Sequence, residues 1–177
     1  MPYRKSKTSF EIYREGGSID SVRMLIKMVM VVRAFRNRMD EELRKMGQGS
    51  ARMETLGAIM NMQGAKSQSD VAKRLRVESA TITRMVDILS SEGLVVRSPD
   101  PSDRRVNLLS VSPKGEEVLR EIFTVYDAVR EHILTDLPEQ EYDRLHDIFD
   151  KMLKRLDKPL DGSVKIDDLP GYDRLKK

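Results

Sequence analysis

The stretch from Ser67 to Gly115 constrains this chain most, because its apolar residues change spacing in an order that few folds accommodate. Val71, Ala72 and Leu75 follow Ser67-Gln68-Ser69-Asp70, where the Ser67 hydroxyl can accept from the backbone amide three residues on and Asp70 sits in the positive first turn of a helix. After a break at Arg76-Val77-Glu78, Ile82, Met85, Val86 and Leu89 recur at offsets of three, four and seven, the period of an amphipathic helix. Gly93 supplies a left-handed stop. Two apolar, β-branched runs, Leu94-Val95-Val96-Arg97 and Val106 to Val111, then flank Ser98-Pro99-Asp100-Pro101-Ser102-Asp103-Arg104-Arg105. Two short strands joined by such a loop cannot stand alone and must lean on the helices before them. The stretch therefore predicts a helix-turn-helix followed by a wing.

The second helix presents Ser79, Thr81, Thr83, Arg84 and Asp87 outward. Short hydroxyls near a helix start let the backbone approach a groove floor, and Arg84 can reach a base edge or a phosphate. A solvated helix face is the plain alternative. At the wing tip Arg104 and Arg105, with Asp103 beside them, place cations where a narrow minor groove concentrates negative potential. Taken alone, that tip could equally be a solvated turn.

Several blocks in the right order carry a family resemblance. Ser69-Asp70-Val71-Ala72-Lys73-Arg74-Leu75, Thr81 to Leu89, Glu92-Gly93-Leu94-Val95, Asp100 to Arg105 and Leu109-Ser110-Val111-Ser112-Pro113-Lys114-Gly115 resemble the multiple antibiotic resistance regulator (MarR) family of winged-helix transcription factors. The match is specific over about fifty residues and fits by layout over residues 20–157. Glu78 departs from it, standing where the family more often has a small capping residue. The resemblance implies a mainly α fold with a small β-hairpin wing, flanked by N- and C-terminal dimerisation helices. It implies a dimeric, sequence-specific DNA-binding regulator that reads a pseudo-palindromic operator. Ser79, Thr81, Thr83 and Arg84 are then the major-groove residues, and Arg104 and Arg105 the wing cations. By position in the motif Arg105 enters the minor groove and Asp103 orients it. Lys66, Ser67, Ser69 and Lys73 would contact phosphates, which set register but carry no sequence information.

The remainder of the chain fits this plan. Residues 1–19 form a polar arm, with Arg4, Lys5 and Lys7 near its start. From Asp20 to Met46, Val22, Leu25, Ile26, Val29, Val32, Phe35, Met39, Leu43 and Met46 mark one side of a long helix ended by Gly47, and Met28, Met30 and Val31 widen the stripe. A helix apolar over that much of its girth contacts more than one neighbour. Residues 50–63 predict another helix, capped by Ser50, with Met53, Leu56, Ile59, Met60 and Met62 inward. Ser112-Pro113 starts a helix that keeps Val118, Leu119, Ile122, Phe123, Tyr126, Val129 and Ile133 on one face. A new start at Asp136-Leu137-Pro138-Glu139 leads to a last helix through Leu156. Residues 20–48 and 116–157 thus form a dimerisation region, 49–115 the DNA-binding domain and 158–177 a tail. The long helices outrun what a small winged domain covers, and a second copy is the economical partner; an intramolecular bundle is the alternative.

Relatives in the family often release DNA when a phenolic or aromatic acid binds between the dimerisation helices and the winged domain. Here Arg33, Arg36 and Arg52 are candidate carboxylate partners, with Met53, Met60 and Phe123 as candidate walls. Each is otherwise a surface charge or a core filler. The expected regulator is a repressor released by such an effector; the alternative is an effector-independent DNA-binding or protein-interaction module.

Composition narrows the field further. With no cysteine in 177 residues, disulfides and thiol-based sensing are excluded. His132 and His146 lie at unequal distances from the turn near Leu137, so no metal site is expected. Without a cysteine nucleophile, a glycine-rich phosphate loop or a ligand cluster, no enzyme and no cofactor are expected. Net charge is only +3, but residues 66–114 hold nine basic side chains against six acids, an excess that a dimer doubles along one duplex. No apolar run approaches the ~20 residues of a membrane span, and none follows the basic N-terminus as in a secretory signal. The expected location is the cytoplasm.

Overall fold

A computed structural model describes residues 9–17, 20–64 and 66–158. The arm residues Arg4, Lys5 and Lys7, and the tail from 159 on, lie outside the described residues. The helices are α1 (Ser9–Arg14), α2 (Asp20–Arg44), α3 (Ser50–Asn61), α4 (Gln68–Leu75), α5 (Ser79–Ser91), α6 (Pro113–Leu134) and α7 (Gln140–Leu156), and the strands β1 (Val95–Pro99) and β2 (Asn107–Val111) fall between α5 and α6. The chain divides into two compact units, Arg33–Thr135 and the remainder.

The Arg33–Thr135 unit holds the winged fold. Its main core gathers Leu56 and Ile59 of α3, Val71 and Ala72 of α4, Ile82, Val86 and Leu89 of α5, Leu94, Val95, Leu109, and Leu119 of α6. The helical members are those that the 3.6-residue period points inward, and on the strands burial falls at Val95 and Leu109. A second cluster joins Met39 and Leu43 of α2 to Met53, Ile122 and Val129, with Phe35 and Tyr126 at its edge, their rings edge to face at 6.2 Å. The strands pair antiparallel from Val95↔Val111 to Pro99↔Asn107. Burial falls on α2 only at Met39 and Leu43.

Most helix ends match their sequence signals. Ser67 and Asp70 form a full capping box on α4, and the Ser112 hydroxyl accepts from Gly115 N–H at 3.0 Å to start α6. Gly47 and Gly93 adopt positive φ at the ends of α2 and α5. Two expectations change. Ser50 does not cap α3; it is the first helical residue, and its N–H donates to Asp40 Oδ1 of α2 at 2.7 Å. That bond is the main cause holding the Asp40 carboxyl below its ordinary range. Met60, expected inside, is 43% exposed, because α3 buries only the side carrying Met53, Leu56 and Ile59. α5 starts after Glu78, whose side chain makes no capping bond.

In the other unit, the arm contains a six-residue helix, α1, that the polar sequence did not foretell. The N-terminal half of α2 carries Leu25, Ile26, Val29, Met30, Val31 and Val32, each between 41% and 64% exposed. None of α7 is buried either, although its apolar residues keep one face.

Candidate nucleic-acid interface

α4 and α5 are joined by a tight turn in which Arg76 takes the left-handed conformation, φ 54°. This sets the starts of both helices side by side. The root of the wing joins them: Leu109 N–H donates to Lys66 O at 2.9 Å, and Ser67 forms an antiparallel bridge with Leu108 of β2. Three segments distant in sequence therefore meet along one polar groove of about 340 Å³, lined by Ser67, Gln68, Ser69, Ser79, Thr83, Arg105, Val106 and Asn107. Of the residues expected at DNA, Ser67, Ser69, Ser79, Thr83 and Arg105 are gathered here. Thr81, Arg84 and Arg104 are exposed but do not line it, and Lys73 is exposed on α4 while Lys66 is half-buried.

The wing tip is held by its own main chain. Asp100 Oδ1 accepts from Ser102 N–H at 2.7 Å and from the Ser102 hydroxyl at 2.6 Å, while Asp100 N–H closes the loop on Val106 O at 2.9 Å. The Ser102 hydroxyl, then the amide, holds the Asp100 carboxyl below its usual range. Asp103 acts on Arg105 through the backbone, accepting its N–H at 3.0 Å. It shapes the turn that carries Arg105 instead of gripping the guanidinium. On the inner side, Arg97 of β1 forms an ion pair with Asp87 of α5, so wing and recognition helix are tied directly.

The far end of α5 is tied as well. Arg52 of α3 pairs with Glu92, the cap residue of α5, and Lys114 Nζ donates to Glu92 O at 2.9 Å. Arg36 of α2 pairs with Glu54 of α3 through two bonds, at 3.0 and 2.6 Å. The Glu54 hydrogen bond and charge raise the Arg36 pKa further above its ordinary value. Two of the three candidate effector arginines thus have carboxylate partners on neighbouring elements, whereas Arg33 is exposed on α2. Met53 is buried in the second core cluster, Met60 is open, and Phe123, 42% exposed, packs edge-on against Tyr126 at 5.6 Å.

Sequence reasoning missed Gln68 and Asn107. Gln68 stands between two serines assigned to phosphates, and Asn107 opens a strand whose other residues are mostly apolar. Their common polar groove exists only once α4 and β2 are joined.

Two abutting helices with a hairpin leaning on the second define a winged helix-turn-helix protein. Residues 52–106 match the model of the MarR family. The transcriptional regulator BldR from Sulfolobus solfataricus is 26% identical, over 77% of this chain and 96% of that one, with a TM-score of 0.69. Similar folds at lower identity include MepR of S. aureus in complex with DNA (21%, 73% and 93% covered, TM-score 0.65) and CouR of Rhodococcus jostii RHA1 bound to p-coumaroyl-CoA (22%, 75% and 92% covered, TM-score 0.64). Residues 52–106 thus carry a MarR-family winged-helix domain, the kind found in DNA-binding transcriptional regulators, on a fold shared with BldR.

Proposed function

We propose that two copies of this chain grip a pseudo-palindromic operator and repress transcription until a small acidic effector binds. The observation that carries the DNA reading is the polar groove uniting the starts of α4 and α5 with Arg105. Ser79, Thr81, Thr83 and Arg84 face the major groove. Arg105 enters the minor groove, with Arg104 beside it and Asp103 shaping the turn, while Lys66, Ser67, Ser69 and Lys73 meet phosphates. MepR, which shares the fold, is seen in complex with DNA, and that supports DNA as the partner.

A dimer follows from the open apolar face of α2. Six large side chains from Leu25 to Val32 remain largely in water in a single chain, and leaving them there forgoes on the order of 25 cal/mol for each Å² that a partner would cover. Residues 20–48 and 116–157 supply the pairing helices, which hold two recognition helices about one DNA turn, ~34 Å, apart.

Release by an effector is supported by the ion pairs. A carboxylate ligand at Arg36 or Arg52 competes with Glu54 or Glu92, and Glu92 caps the recognition helix. Displacing Glu92 therefore changes the end of α5, which gives the ligand different affinities for the DNA-bound and DNA-free arrangements. Arg52 Nε, shielded from solvent and without a hydrogen-bond partner among the described residues, has capacity for a further acceptor. Arg33, exposed on α2, supplies a further cation nearby in sequence, and Met53, Met60 and Phe123 supply apolar surface. The binding of p-coumaroyl-CoA by CouR supports an aromatic acid or its thioester as the ligand class.

The test is selection of bound duplexes from a random library, with and without aromatic acids and their coenzyme A thioesters, at two salt concentrations. Enrichment of an inverted repeat, lost as salt rises and when one effector is added, is expected. A profile without any repeat would remove the operator reading; a repeat indifferent to every acid would leave an effector-independent binder.

A further inference from the structure

Within the groove just described, and resting on its reading as the DNA face, Gln68 occupies a position that hydroxyls and cations cannot replace. It is the first residue of α4, on a backbone fixed to the wing by the Ser67↔Leu108 bridge and by the Ser67–Asp70 capping box. Its carboxamide oxygen accepts from the hydroxyl of Thr83, one turn into the recognition helix, at 3.2 Å. The same Thr83 hydroxyl lies 3.0 Å from the carbonyl of Ser79.

The Thr83 hydroxyl has a single proton, shared between the Gln68 carboxamide oxygen and the Ser79 carbonyl, both of which accept. What remains on Gln68 is its NH2 group and the second lone pair of its carbonyl oxygen, side by side, in a groove shared with Ser79, Arg105 and Asn107. A donor and an acceptor so paired complement N7 and the N6 amino group of adenine in the major groove. Arginine offers only donors, and no hydroxyl spans both atoms.

We propose that Gln68, held by its contact with Thr83, reads an adenine in each half-site, so that specificity comes from the first helix of the motif as well as the second. Thr83 is the positioning residue for this contact.

The test compares the full-length protein with Gln68→Ala, Gln68→Glu and Thr83→Val on the selected operator, on every single-base change of one half-site, and on an unrelated duplex. Gln68→Ala should lose roughly 10- to 100-fold on the operator, keep its affinity for the unrelated duplex, and become indifferent at one symmetric A·T position. Gln68→Glu, left with acceptors only, should shift that position toward cytosine, whose N4 amino group donates. Thr83→Val, close in shape but unable to donate, should blur the same position and add little to Gln68→Ala. Uniform weakening on all duplexes would make Gln68 a phosphate contact and overturn the proposal. So would different affected positions for Gln68→Ala and Thr83→Val, or an unchanged profile. If the unaltered protein itself prefers no sequence, the operator reading fails instead.

Discussion

Replacing Gly115 by alanine isolates a joint on which the placement of the recognition helix depends. Gly115 lies in the first turn of α6, buried against the chain that turns from α5 into β1. A Cβ there would stand 2.2 Å from Leu94 O, 2.8 Å from Val111 Cγ1 and 3.1 Å from the Leu94 carbonyl carbon. Carbon and oxygen ordinarily approach to about 3.3 Å, so the helix must back away by about 1 Å. The same joint carries Ser112 N–H to Leu94 O at 2.9 Å and the Ser112 hydroxyl to Gly93 O at 2.6 Å, and neither bond survives that displacement intact. Overpacking costs about 2 kcal/mol and two weakened bonds about 1 kcal/mol each. Alanine's better helix propensity returns about 1 kcal/mol. The net loss is about 3 kcal/mol, or roughly 6–12 °C in Tm for a chain of this size.

Gly57 in α3 is the control, because a Cβ there meets nothing within 4 Å. Gly57→Ala should gain about 0.5–1 kcal/mol. Urea unfolding followed by circular dichroism, at one protein concentration because self-association shifts the midpoint, should show opposite signs for the same chemical change. A Gly115→Ala protein as stable as its parent would refute the close approach and the reasoning built on it.

Arg105→Ala should weaken operator binding about 10- to 100-fold and lower the salt slope by about one, with helix content unchanged; undiminished affinity in a gel shift at moderate salt would take the wing out of the mechanism. Asp70 is held below the usual carboxylate range by the Ser67 hydroxyl first and the Ser67 amide second. Its stabilising contribution is therefore complete above the ordinary pKa near ~4 and disappears as pH falls through the depressed folded value. Asp70→Asn should cost about 1 kcal/mol at neutral pH and flatten the acid limb of the stability curve, whereas parallel limbs for the two proteins would sink the assignment. Val29→Glu places a charge on the open face of α2 and should yield a monomer by light scattering that no longer shifts operator DNA; a variant that stays dimeric would locate the interface elsewhere.

The ion pairs of the winged unit divide by what they connect. Arg97–Asp87 and Arg52–Glu92 hold the C-terminal half of α5 to the wing and to α3, while Arg36–Glu54 joins α2 to α3. Partly exposed pairs of this kind contribute at most about 1 kcal/mol each to stability. Their larger consequence is orientation, since each fixes how one element lies against its neighbour.

The elements were legible wherever a signal and its partner lie within one turn of each other. Ser67 with Asp70, Ser112 with Gly115, Gly93 after Leu89, and the spacing of Ile82, Val86 and Leu89 are short-range facts, and the structure repeats them. The winged helix-turn-helix followed from their order. Tertiary structure alone decided that Asp40, ten residues earlier on another helix, does the work expected of the Ser50 side chain. It alone turned Asp103 toward the backbone of Arg105 and gave Glu54 and Glu92 to arginines expected to be open. It also brought Gln68 and Asn107 into the groove, across about forty residues of chain. The physical reason is range: capping, helical period and turn chemistry act over three or four residues, whereas a side chain's final partner depends on which remote segment the core has carried to within 3 Å of it.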